Sequence, residues 1–245
     1  MQNLRGVALG LFVLFQITTA HTQRVDHRFN NWFTYFGQYK LHPHWGLHVD
    51  GQFRANDNVE QINQSLLRIG GQYYLNPGTT LTLGYAYINT YSQSADAYFT
   101  EHRIWQQFMH THPLGAPVSM THRFRFENRF VERISQNQDP GWATGQRFRY
   151  FNRTVFNLTN RTDARVRPYL ALQNEFFLNI ASPDINSNAF DQNRFLVAFG
   201  VQHAGLTRLE IGYLNQFLNP PGNADVMNHV LHFSILQVLD FAPLQ

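Results

Sequence analysis

The sequence predicts an all-β protein: a single closed, antiparallel, up-and-down transmembrane β-barrel. Three observations predict it. Apolar or aromatic residues alternate with polar or charged ones at a period of two along most of the 245 residues. Short connections alternate with longer ones between these segments. Beyond the first twenty residues no apolar run approaches the ~20 residues of a membrane helix. Aromatic residues nevertheless make up 15% of the chain and charged residues only 14%, against about 25% in ordinary soluble domains. Mean hydropathy is below zero, as expected when lipid-facing and lumen-facing positions are interleaved.

The chain opens with "MQNLR", whose Arg5 precedes the apolar "GVALGLFVLFQI" and the small-residue "TTA". This is the pattern of a secretory signal cleaved near Ala20, leaving residues 21–245 as one barrel domain in the cell outer membrane. Cysteine is absent, which excludes disulfides, thiolate metal sites and a lipid anchor on cysteine. Of 19 basic residues only Lys40 is lysine. An ordinary solvated surface mixes Lys with Glu and Asp, so the bias toward arginine points to an interior role. The arginines alternate with Phe, Tyr and Val and form no basic run, and no nucleic-acid-binding motif is present.

The first segment, 30–41, runs up to the turn "HPH" at 42–44. In 45–54, Trp45, Leu47, Val49 and Phe53 oppose His48, Asp50, Gln52 and Arg54. Segment 62–75 ends at "NPG". Segment 79–91 sets Leu81, Leu83, Tyr85 and Tyr87 against Thr80, Thr82, Gly84 and Ala86. Segment 98–110 leads into "HPLGAP". In 118–134, Phe124, Phe126 and Phe130 oppose Arg123, Arg125, Glu127, Arg129 and Arg133. Segments 145–158 and 165–178 oppose Phe148, Tyr150, Leu170, Leu172 and Phe176 to Arg147, Arg149, Arg153, Arg165, Arg167 and Glu175. In 190–202 and 207–217, Phe195, Val197, Leu209 and Ile211 oppose Arg194, Arg208 and Glu210. The last segment, 227–240, carries Leu231, Phe233 and Ile235 in one phase.

A barrel of this width has a lumen that side chains do not simply fill with an apolar core. Arginine and glutamate therefore face inward, and the aromatic face meets lipid. Eleven segments are counted, but single-chain bacterial barrels have an even number. The expectation is twelve strands, with "TQRVDHRF" at 22–29 as a short additional one, or ten if two segments merge.

The early "NNWFTYFGQYKLHPHWGLHVDGQFR", with Trp32, Tyr35, Trp45 and Arg54, resembles a Gram-negative outer-membrane β-barrel family catalogued as a domain of unknown function. Glu101, Arg103 and Gln107 and the Arg-rich strands at 123–133 and 147–153 are similar to it as well. The resemblance implies fold and location and no biochemical activity. The last strand also resembles the C-terminal signal read by the outer-membrane assembly machinery, although "APLQ" follows Phe241.

For chemistry, the arginines of neighbouring strands make the strongest constellation. Arg103, Arg123, Arg125, Arg129, Arg133, Arg147, Arg149, Arg153, Arg165, Arg167, Arg194 and Arg208, with Glu127, Glu175 and Glu210, are expected to line the lumen. They form either a salt-bridge network that plugs it or a basic pore lining that favours anions. The His232–Ser234 pair has the spacing of a strand-borne hydrolase nucleophile and base. Its phase, however, faces the lumen and not a membrane substrate. His42, His44 and His48, and His110 and His112, lack a carboxylate at ligand spacing. The expectation is a non-enzymatic outer-membrane barrel, either a small pore with an arginine-rich lumen or a structural or binding protein, without metal or cofactor. Its partners would be the lipid bilayer and the assembly machinery. A lipid-modifying hydrolase using His232 and Ser234, and a soluble periplasmic ligand-binding barrel, are the alternatives.

Overall fold

The computed structural model describes residues 24–134, 141–159, 161, 164–222 and 224–242; the signal sequence read at 1–20 lies outside them. Eleven strands follow one another: β1 (Arg24–Lys40), β2 (Trp45–Asn56), β3 (Ile62–Asn76), β4 (Thr79–Ser92), β5 (Ala97–Gly115), β6 (Val118–Glu132), β7 (Trp142–Asn157), β8 (Val166–Ala181), β9 (Phe190–His203), β10 (Thr207–Leu218) and β11 (Ala224–Asp240). Each pairs antiparallel with its sequence neighbours, and β1 pairs with β11 to close the barrel. The shortest strands have 12 residues and the longest 19, more than the ~9–11 that cross a bilayer.

The closure corrects the expectation of twelve strands in a wholly antiparallel barrel. In a meander every turn reverses direction, so the first and last of eleven strands point the same way. They can close only in parallel, and β1 and β11 do so from Arg24↔Ala224 to Lys40↔Asp240. Of the stretch expected to form an extra strand, residues 24–29 are instead the beginning of β1, and residues 22 and 23 lie outside the described ones. Between Arg24 and Trp32 there is no Gly or Pro to reverse the chain, and it stays paired to β11 throughout.

Burial follows the period-two pattern. On β6, Arg123, Arg125, Glu127 and Arg129 are buried, while Phe124 and Phe130 are exposed on the outside. The same inversion holds on the other strands. Phe53, Leu67 and Leu83 are among the most exposed apolar residues of β2, β3 and β4, whereas His48, Asp50 and Arg68 are buried. The connections at 41–44, 77–78, 116–117 and 204–206 share one end with the longer one before β8. Those at 57–61, 93–96, 133–141, 182–189 and 219–223 share the other end.

The lumen holds more apolar side chain than the alternation suggested. Leu66, Ala86, Ile88 and Trp105 form one inward cluster, and Trp32, Tyr169, Leu196, Leu214 and Val230 belong to another. Trp105 fits because β4 offers it Gly84, where a Cβ would meet the indole Cε2 at 2.5 Å. An inward face of large rings thus requires a missing side chain on the neighbouring strand.

Candidate functional site: the arginine-lined lumen

Antiparallel pairing puts the inward residues of adjacent strands side by side, and the lumen becomes an alternation of guanidinium and carboxylate. Glu127 accepts from Arg147 Nη2 at 2.7 Å and from Arg149 Nη1 at 2.6 Å. Arg149 also reaches Glu175 at 2.7 Å, and Arg123 meets the same carboxylate oxygen at 2.6 Å. Nearer the long connections, Glu101 takes Arg103 at 2.7 Å and Arg129 at 2.6 Å. Arg147 donates in addition to Asp191 at 2.8 Å. Toward the short turns, Glu210 pairs with Arg153 and accepts from Tyr169 at 2.6 Å. Asp50 pairs with Arg68 across β2 and β3.

At the waist these groups pack closely against one another. Arg125 donates to Gln107 at 3.0 and 2.6 Å and lies 4.4 Å above the Trp105 ring. His48 packs edge-on against Phe36 and Trp105. Arg125, Glu127, His48, Gln72 and Trp105 are each at most 1% exposed. Above this layer a cavity of about 1180 Å³ opens among the long connections, floored by Arg68, Arg103, Arg149, Trp32 and Phe177. Nine arginines line it against five carboxylates, so the vestibule is net basic.

The expected lining residues are mostly where the alternation put them. Arg103, Arg123, Arg125, Glu127, Arg129, Arg147, Arg149, Arg153, Glu175 and Glu210 meet in the lumen. Arg194 and Arg208 are inward and partly buried, stacking on Phe177 and Tyr169. Two residues depart. Arg133 lies just beyond β6, where it pairs with Asp184 at 3.8 Å on the rim, and Arg165 is exposed in the connection before β8. The seven arginines of β6 to β8, Arg167 among them near the short-turn end of β8, therefore do not form one uncompensated wall, because Glu101, Glu127, Glu175 and Asp191 stand between them. Asp50, Arg54, Arg68 and Asp191 also belong to the lumen. The phase of "HVDGQFR" already carried the signal for Asp50 and Arg54.

The other constellations separate. His232 Nε2 is 3.1 Å from Thr34 Oγ1, whereas Ser234 donates to Glu210 at 3.2 Å. The serine hydroxyl is thus tied to a carboxylate already shared with Arg153 and Tyr169, and the imidazole is turned to another strand. His42 and His44 stay at the first turn while His48 is buried in the lumen. His110, His112 and His122 stack on the outside near the short turns, with successive ring centroids 5.4 Å apart.

The family described as protein of unknown function (DUF2490) matches residues 29–228, most of the barrel, and the chain belongs to that family. An uncharacterized protein of Methylorubrum extorquens is similar, 25% identical over 185 residues, which cover 75% of this chain and 76% of that one.

Proposed function

We propose that the protein is a non-enzymatic outer-membrane β-barrel, closed at its waist by buried ion pairs and open at its long-connection end as a basic vestibule. The inversion of burial carries this reading. Among the described residues, outward positions at the middle of the strands hold mainly Phe, Leu, Ile, Val and Tyr, with Gln106 a polar exception on β5, and no Asp, Glu, Lys or Arg, while the ionised groups are inside. A soluble protein rarely exposes a contiguous apolar patch above a few hundred Å², and here the band encircles the barrel. Trp45 and Tyr73 at the short-turn end, and Tyr98 and Trp142 at the other, supply the two aromatic girdles that membrane barrels carry at the interfaces. The signal read at residues 1–20 and the phase of the last strand support the same location, with the short turns in the periplasm and contact with the assembly machinery during biogenesis.

Leu83→Arg tests it. Leu83 is 61% exposed at the middle of β4, so a soluble barrel would tolerate the arginine. In a bilayer the charge costs ~2–4 kcal/mol near the midplane, and insertion into vesicles should fall sharply. Unchanged yield in the membrane fraction and unchanged heat-modifiable mobility would overturn the proposal in favour of a soluble barrel. An open anion pore is the second reading, favoured by the excess of arginine in the vestibule; it requires the packed waist to part.

A further inference from the structure

We infer that the vestibule binds a sugar bearing a phosphate or carboxylate group, with Arg54 and Arg194 as its anion subsite. Most of the arginines on the cavity floor are spoken for. Arg68, Arg103, Arg129, Arg147 and Arg149 each have a carboxylate within 4.0 Å. Arg54 and Arg194 have none among the described residues. Their guanidinium carbons sit 3.9 and 5.2 Å from the Trp32 ring centroid. Arg54 is held only by carboxamides, donating to Gln64 at 2.7 Å and Gln52 at 2.8 Å, and its Nε is buried without a hydrogen-bond partner. Arg194 Nε donates to Gln192 at 3.2 Å. Two cations sharing one indole, neither with a carboxylate within 4.0 Å although Glu175 faces Arg194 across the β8–β9 register, make a place for an anion, and a guanidinium suits the oxygens of phosphate or carboxylate.

The wall beside them argues for a sugar and not a bare ion. Carboxamides form a chain across the β1–β11 seam: Asn63 donates to Asn30 at 3.2 Å and Asn30 to Asn228 at 3.1 Å, and the Gln216 amide lies 3.0 Å from Asn228 and 2.6 Å from Gln192, with Arg194 Nε and Nη2 at 3.3 Å. All five carboxamides line the cavity. A carboxamide both donates and accepts, as a sugar hydroxyl does, so each link can be exchanged for a pair of bonds to a ligand. A cavity of about 1180 Å³ exceeds what a monosaccharide needs, and its carboxylates Glu101 and Asp191 are already paired with arginine.

The inference rests on the reading above only for which side the vestibule faces. The same chemistry is carried by a free sugar phosphate and by a phosphorylated saccharide on a lipid, and the test separates them. The whole barrel, refolded in zwitterionic detergent, is titrated calorimetrically with glucose 6-phosphate, glucose, inorganic phosphate and lipopolysaccharide micelles. Expected is saturable binding of glucose 6-phosphate, of lipopolysaccharide, or of both. Where glucose 6-phosphate binds, it should do so at least tenfold more tightly than glucose or phosphate. Arg54→Gln and Arg194→Gln should each weaken binding by about tenfold or more, as loss of a charge-assisted bond does, and Arg208→Gln, on the other side of the waist, should not. Gln64→Glu keeps the side-chain shape and supplies Arg54 with a carboxylate, so it should abolish binding in a barrel that still folds. Binding of lipopolysaccharide alone assigns the lipid-borne source. Binding of neither ligand, phosphate binding as tightly as glucose 6-phosphate, or equal weakening by Arg208→Gln overturns the inference. A barrel that inserts into vesicles and binds nothing loses only this inference, and one that binds without inserting loses only the membrane reading.

Discussion

Arg149 Nη1 stands 2.6 Å from Glu127 Oε1, with the two side chains 3% and 1% exposed. This pair sits at the centre of the lumen. It links β6 to β7, and through the second bond of Arg149 to Glu175 it reaches β8. The charges that would have lined a basic channel thereby become struts between strands.

Glu127→Gln should therefore destabilise the barrel severely. It leaves Arg147 and Arg149 without the carboxylate that both share, and removing one partner of a buried pair costs about 3–5 kcal/mol. Urea unfolding of the detergent-refolded protein, followed by heat-modifiable mobility, reads the loss. A change below about 1 kcal/mol would mean that the pair is hydrated, as exposed pairs are.

Wild-type protein in planar bilayers should show no steady unit conductance, because Trp105, Arg125 and Gln107 fill the waist. Trp105→Ala combined with Arg125→Ala should open a passage, and the excess of arginine over carboxylate in the vestibule should make it prefer chloride most strongly at low salt. A steady, anion-selective wild-type current would show instead that the waist opens in the membrane.

The four tryptophans should divide by location. Trp45 and Trp142 are 57% and 47% exposed at the two rims, whereas Trp32 and Trp105 are buried in the lumen. In single-tryptophan variants reconstituted into vesicles, brominated acyl chains should quench the first two and spare the others. Quenching of Trp105 by lipid would reverse the assignment of faces.

The parallel seam can be locked. Phe33 and Phe233 are register partners on β1 and β11, with stacked rings 5.3 Å apart. The chain has no cysteine to interfere, so Phe33→Cys with Phe233→Cys should form a disulfide on mild oxidation and make the barrel resistant to unfolding until reduced. Failure of this pair to cross-link in folded protein would argue against eleven strands closed in this register.

Alternation along the chain was sufficient to separate the faces. It placed Arg125 and Glu127 inside and Phe124 and Phe130 outside, because a pleated strand turns each successive side chain to the opposite side, and it located the eleven segments, although β1 begins at Arg24 where 30 was expected and β5 runs on to Gly115 where 110 was expected. The turns at "HPH" and "NPG" marked where strands reverse. What local pattern could not carry was closure and pairing. Whether β1 meets β11 in parallel depends on the whole circuit of strands, and the even-number expectation misled on this point. Glu127 meets Arg147 in cross-strand register, yet Arg149 serves both Glu127 and Glu175 only because β6, β7 and β8 curve around one narrow lumen. The same curvature brings Arg54 of β2 and Arg194 of β9 over Trp32, although 140 positions separate them in the numbering. Face is a property of single residues on a strand, whereas charge compensation is a property of the distances that the closed barrel sets between strands.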